Sequence, residues 1–115
     1  MVRGGIAKRV HIVCADADLL ESLTELMTLE GVAVTPNPEP TAADPTLVVA
    51  AADAWPPGWT LASLHARFCR FPCILLSGSA LAGDFAAAGF QRGYFVQLPT
   101  TPRAILCLVE ELSGD

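Results

Sequence analysis

Short unbroken apolar runs alternate along the chain with stretches in which apolar residues recur every three or four positions. Runs bounded by turn residues suit strands buried on both faces, and the three-and-four rhythm suits helices that lay one stripe on a core. Strands are predicted at Val10-His11-Ile12-Val13, Val32-Ala33-Val34, Leu47 to Ala52, Cys73-Ile74-Leu75-Leu76 and Tyr94-Phe95-Val96-Gln97. A first helix carries Leu19, Leu20, Leu23, Leu26 and Met27 on one stripe, with Asp18 as its cap, Glu21 as the capping-box partner and Gly31 as its stop. A helix from Thr60 to about Cys69 buries Leu61, Leu64 and Phe68, and His65 falls on the flank of that stripe as a boundary residue. A short alanine-rich helix covers about Ala80 to Ala88. After Thr101 as cap and Pro102 in the first turn, a last helix turns Ile105, Leu106, Val109 and Leu112 inward.

Strand and helix in alternation make an α/β pattern, a parallel sheet covered by crossover helices. One crossover is too short. The segment Asn37 to Asp44 carries Pro38 and Pro40 and leaves room for about one helical turn at Thr41 to Asp44. The second helix is therefore expected to be short or absent, with part of the sheet face uncovered.

Composition narrows the class. With 115 residues and 52% hydrophobic content, a single domain over 1–115 with a sizeable core is expected. Acidic residues number 12 against 7 basic ones, and the bases are scattered singly or in pairs, which argues against direct nucleic-acid binding. No apolar stretch reaches the roughly 18 residues of a membrane span, and Met1 to Arg9 lacks the apolar middle of a signal peptide, so a cytoplasmic location is expected. Cys14, Cys69, Cys73 and Cys107 lie in or beside apolar runs, without a Cys-x-x-Cys pair or a histidine at ligand spacing. Buried reduced thiols are expected, with no metal site and no disulfide.

Open parallel sheets bind ligands at the carboxyl ends of their strands. In this chain that edge would gather Cys14, Asp16, Asp53 and Ser77. The only lysine, Lys8, precedes the first strand and cannot reach the edge. Any mechanism that needs an ammonium there is excluded.

At residues 9 to 113 the chain resembles the receiver domain of bacterial two-component response regulators. The resemblance rests on Val10-His11-Ile12-Val13-Cys14-Ala15-Asp16-Ala17-Asp18-Leu19-Leu20, on Asp53 with Pro57-Gly58, on Ile74-Leu75-Leu76-Ser77-Gly78, and on Leu98-Pro99-Thr100-Thr101-Pro102, in that order and spacing. It implies a flavodoxin-like three-layer fold with a five-stranded parallel sheet in the order 2-1-3-4-5. It also implies a role in phosphorelay signalling, with Asp53 at the position that takes a phosphoryl group from a histidine kinase.

The departures from that family set the expectation. The acidic residues that hold Mg²⁺ in the family fall here on Cys14 and Ala15, which offer a hard cation no oxygen. Asp16 follows at once but points elsewhere. The family lysine maps to Leu98, and its neighbour Gln97 can hydrogen-bond but cannot neutralise charge. Phosphoryl transfer depends on positioning and on cancelling charge at the equatorial oxygens, and of that set only Asp53 and Ser77 remain. The chain is therefore expected to be no enzyme, to bind Mg²⁺ weakly or not at all, and to act as a phosphorylation-independent module for a protein partner. Two alternatives stay open: a receiver phosphorylated on Asp53 with Asp16 and Ser77 as helpers, and thiol chemistry at Cys14.

Candidate partner contacts are the aromatic residues. Trp55 and Trp59 flank a proline pair at the functional edge, where they can fill a partner's pocket or fold back over the site. The aromatic switch of the family maps to Phe95, beside Tyr94, on a face expected to stay in one state without a phosphate trigger. A homodimer through an exposed apolar patch is a further expectation, and Glu110 with Glu111 adds an acidic rim to the last helix.

Overall fold

The computed structural model describes residues 8–39, 43–79 and 82–113. Along the chain run β1 (Arg9–Val13), α1 (Ala17–Leu29), β2 (Ala33–Pro36), β3 (Leu47–Ala51), α2 (Leu61–Phe68), β4 (Cys73–Ser77), α3 (Ala82–Ala88), β5 (Gly93–Gln97) and α4 (Pro102–Ser113). A single 3-10 turn, Ala52–Ala54, follows β3. The strands form one parallel sheet in the order β2-β1-β3-β4-β5, the flavodoxin-like arrangement expected from the sequence.

The apolar runs are strands because the sheet is covered on both faces. Every residue of β3 and β4 is buried, whereas the edge strands β2 and β5 contain no fully buried residue. Alternate side chains of one strand point to opposite faces. Val10, Ile12, Val49, Ile74 and Leu76 meet Leu23, Met27, Ile105 and Val109 of α1 and α4. On the other face Val13, Val48, Ala50 and Leu75 meet Leu64 and Phe68 of α2 and Phe85 of α3. Burying one such leucine or phenylalanine is worth about 1.5 to 3 kcal/mol.

Local signals fix the helix ends. Thr60 and Ser63 form a reciprocal capping box at the start of α2, and the Ala104 amide donates to Thr101 Oγ1 at 3.1 Å to open α4. Gly31 ends α1 with φ +82°, a left-handed turn that a side chain resists. The start of α1 differs from expectation. Asp16, not Asp18, is the cap: its Oδ1 accepts from the amides of Asp18 at 3.0 Å and Leu19 at 3.3 Å. Asp18 joins the first turn, where a carboxylate still suits the helix dipole.

No helix is described between β2 and β3. Ala43 to Pro45 has no regular structure, and Thr41 and Ala42 of the expected turn lie outside the described residues. The sheet face beside this connection is not left bare, contrary to expectation. His11, Val13, Val48 and Ala50 are all fully buried there. Pro38 and Pro45 are buried too, and the Phe68 ring sits edge-on to His11 at 5.7 Å. Among the described residues, Leu64, Phe68 and the partly buried Trp55, Trp59 and Phe71 pack on this face. The cysteines divide as well: Cys14 and Cys73 are buried, Cys69 is half-buried, and Cys107 is exposed. Cys107 faces outward because Ile105, Leu106 and Val109 take the inward stripe of α4.

Candidate functional site

The parallel register brings the ends of β1, β3, β4 and β5 to one edge, with Val13 beside Ala50, Ala51 beside Leu76 and Ser77 beside Gln97. Asp53, in the turn after β3, is exposed and is met by the end of β4. Ser77 Oγ donates to Asp53 Oδ1 at 2.7 Å, and the Gly78 amide donates to Asp53 Oδ2 at 2.6 Å. Both bonds favour the ionised carboxylate, the Gly78 amide most, and they hold the Asp53 pKa below the ordinary carboxylate value. Glycine suits position 78, because a Cβ there would stand 3.2 Å from Asp53 Oδ2. Ser77 is fully buried, and its Oγ also accepts from the Ser79 amide at 3.0 Å. The hydroxyl therefore bonds both local backbone and Asp53.

Gln97 extends this network. Its Nε2 donates to the Gly78 carbonyl at 3.0 Å, and the Leu98 amide donates to the Ser77 carbonyl at 2.8 Å. The Leu98 side chain packs against the core on the α1 and α4 side. The loop that bears Gly78 is thus tied on one side to a carboxylate and on the other to a neutral amide. Among the described residues no cation takes part.

Across the edge, Cys14 is 1% exposed and its Sγ points to the Asp16 carbonyl at 3.5 Å. Burial pushes the thiol pKa up, with Asp16's negative charge adding to the effect and the hydrogen bond to its backbone opposing it. This is the opposite of the environment that makes a cysteine nucleophilic. Ala15 is exposed, and its amide donates to the Ala54 carbonyl at 2.7 Å. Asp16 is engaged as the α1 cap. Asp53, Ser77, Gln97 and the backbone of Leu98 come together, while Cys14 and Asp16 serve the strand end and the helix start.

The donor set does not fit the Mg²⁺ site of the receiver family. Mg²⁺ needs near-octahedral oxygen coordination, and the two family positions supply a thiol and a methyl group beside the one carboxylate. Among the described residues no three histidine, cysteine or acidic side chains converge.

Two residues near this edge escaped the sequence reading. Asn37, with φ +43°, fastens the end of β2 to the end of β1: its Oδ1 accepts from the Cys14 amide at 2.8 Å, and its Nδ2 donates to the Cys14 carbonyl at 3.1 Å. The Pro-Asn-Pro stretch was a usable signal, since asparagine tolerates this backbone and mimics a peptide group. His11 is 1% exposed, and neither ring nitrogen makes a hydrogen bond among the described residues. Burial, aided by Arg67 and Arg9, lowers its pKa, and the Ala43 backbone and Asp44 oppose this in part.

His11 gives the fold a pH dependence. Because its folded-state pKa lies below the unfolded value, the unfolded chain binds more protons as pH falls. The His11 contribution to stability is full above about pH 6.5 and declines below it. Urea unfolding at about pH 5 and about pH 7.5 is expected to show this loss in the wild type and a smaller one in His11→Phe. Equal pH slopes in the two proteins would contradict the assignment.

The aromatic candidates are placed as follows. Trp55 and Trp59 are half-buried against the core on the α2 side. The Trp59 ring stacks on Phe68 with centroids 6.3 Å apart, and the Arg67 guanidinium lies 4.9 Å from the Trp59 centroid. Tyr94 is 37% exposed on β5. Phe95, half-buried, points to the opposite face and lines a cavity of about 200 Å³ with Phe85, Phe90 and Gly93. His65 is a boundary residue as expected, edge-on to Phe90 at 5.1 Å with Nε2 at 3.4 Å from the Gly89 carbonyl.

No protein-family model and no curated protein matches this sequence. Solved structures do. A CheY-like response regulator receiver domain protein from Methanospirillum hungatei superposes with a TM-score of 0.73 at 20% identity, covering 94% of each chain. The non-phosphorylated HemR receiver domain from Leptospira biflexa gives a TM-score of 0.74 at 18% identity, over 94% of this chain and 95% of that one. A response regulator receiver protein from Sinorhizobium medicae gives 0.73 at 23% identity over 94% and 95%. The chain therefore has the receiver fold over nearly its whole length. At these identities the likeness establishes the fold and leaves the activity to be argued from the site.

Proposed function

We propose that this domain is a receiver-type module of a two-component signalling system that binds a protein partner without a phosphorylation switch. The observation that carries the reading is the network at the sheet edge. Asp53 is held by Ser77 and Gly78, and the positions that the receiver resemblance assigns to the acidic pair and the lysine carry a buried thiol, a methyl group and an aliphatic side chain. The overall likeness to receiver domains supports the signalling role. A partner in a cytoplasmic bacterial pathway and the absence of enzymatic activity belong to the same reading. Among the described residues no helix is long and apolar enough to cross a membrane.

A receiver that does take phosphate on Asp53 is the second reading, favoured by the exposure of that ionised carboxylate. Metal dependence separates the two. A site that bound Mg²⁺ a hundredfold below the added concentration would gain about 2.7 kcal/mol, or several degrees in Tm. For this protein a thermal melt in millimolar Mg²⁺ is expected to match one in EDTA within about one degree. A rise of several degrees that Asp53→Asn removes would favour the phosphorylatable receiver.

A further inference from the structure

The outer side of α1 and the end of β2 enclose an open groove of about 660 Å³. Ala17, Leu20, Thr24 and Thr28 line it, at a spacing that places them on one helix face. That face is separate from the stripe of Leu23 and Met27 buried against the sheet. Leu29, 80% exposed, and Pro36 close the groove, and Glu21 and Glu25 stand on its rim. Leu29 and Tyr94 are the exposed large hydrophobic residues among those described, and Leu29 borders this groove.

Charge says what would cover it. From Ile12 to Leu64 the sequence contains no lysine, arginine or histidine, while Asp16, Asp18, Glu21, Glu25 and Glu30 crowd α1 and its ends. Among the described residues neither Glu21 nor Glu25 has an ion-pair partner. We propose that this groove docks an amphipathic helix of a partner protein, with leucine-like anchors on one face and lysine or arginine beside them.

Shape selects a helix. The 13 residues of α1 run for about 20 Å, enough to support several turns of a second helix. Ala17, Thr24 and Thr28 are small enough to let another helix approach to the usual 8–10 Å or so between axes. Adding a strand to β2 suits the site less, since β2 has 4 residues and ends at Pro36, and so short an edge offers few backbone bonds. A second copy presenting its own α1 would set acid against acid, and nucleic acid or an anionic membrane would meet the same repulsion. The inference deepens the reading of the domain as an interaction module. It stands or falls apart from the state of Asp53, since a phosphate adduct on Asp53 would overturn that reading and leave the groove untouched.

The test is fluorescence anisotropy with a labelled peptide of about 18 residues, leucines at helical spacing and lysines elsewhere, beside a twin with glutamate in place of lysine. The lysine peptide is expected to bind in the micromolar range and to weaken with salt, and the glutamate twin is expected not to bind. Glu21→Lys with Glu25→Lys should lower the affinity about tenfold or more. Leu29→Ser, at a position too exposed to unfold the domain, should lower it severalfold, with circular dichroism confirming that both variants fold. No binding by the lysine peptide, equal binding of the twins, or binding unchanged in the variants would overturn the proposal. So would sedimentation showing self-association that Leu29→Ser abolishes, because the occupant would then be a second copy.

Discussion

Cys14→Asp, Ala15→Asp and Leu98→Lys, combined in one chain, are expected to raise the rate at which Asp53 takes phosphate from a small phosphodonor by about 10⁴. Removing one preorganised charge-stabilising group from an active site costs about 10² to 10³ in rate, and the three changes return two such contributions, metal binding and the lysine. The variant should show its gain only with Mg²⁺ present. It should also be the less stable protein without it. Cys14 is 1% exposed, and carboxylates placed there and at Ala15 would repel Asp53 across the edge. Phosphate incorporation followed by intact mass, with and without Mg²⁺, reads both effects. If the wild type labels as fast as the variant, the loss of charge at these positions does not limit the chemistry.

The second large effect concerns the scaffold. Leu75 is fully buried in β4, between Val48 and Ala50 of the neighbouring strand and the helices on the α2 side. Leu75→Ala is expected to cost about 3 to 5 kcal/mol, the lost transfer energy plus that of a cavity which a close-packed sheet cannot collapse. That is a large share of a total stability of roughly 5 to 15 kcal/mol. Leu29→Ala, at 80% exposure, should stay within about 0.5 kcal/mol of the wild type. Urea unfolding of the two variants checks the contrast. A near-neutral Leu75→Ala would mean that the α2 side is loosely packed.

The central strands were legible because they are buried on both faces, which writes them as unbroken apolar runs. β3 and β4 match their predicted runs within a residue. The cap of α4 was legible because it is local, spanning three residues; the capping box of α2 went unread although it is equally local. The start of α1 was misplaced by the same local logic: Asp18 with Glu21 three residues on matches the capping-box pattern, whereas the backbone turns at Asp16, which is the cap. What the sequence hid is long-range. Asn37 completes its bonds with Cys14, 23 residues away, and Asp53 meets Ser77 across 24. The buried His11 was hidden because its burial depends on Phe68 and on residues near Ala43, neither of which its neighbours in sequence reveal. At the edge, the lack of a lysine was plain from composition, and the thiol and methyl group in place of an acidic pair were read from the resemblance. The engagement of Asp53 by the Gly78 amide was not legible, because a backbone donor leaves no mark in the side-chain pattern.

The most direct test of a receiver fold without its switch is intact mass after incubation with acetyl phosphate and Mg²⁺, for the wild type and Asp53→Asn in parallel. The account predicts no adduct in either protein. An acid-stable, base-labile phosphate adduct on the wild type that Asp53→Asn abolishes would contradict it.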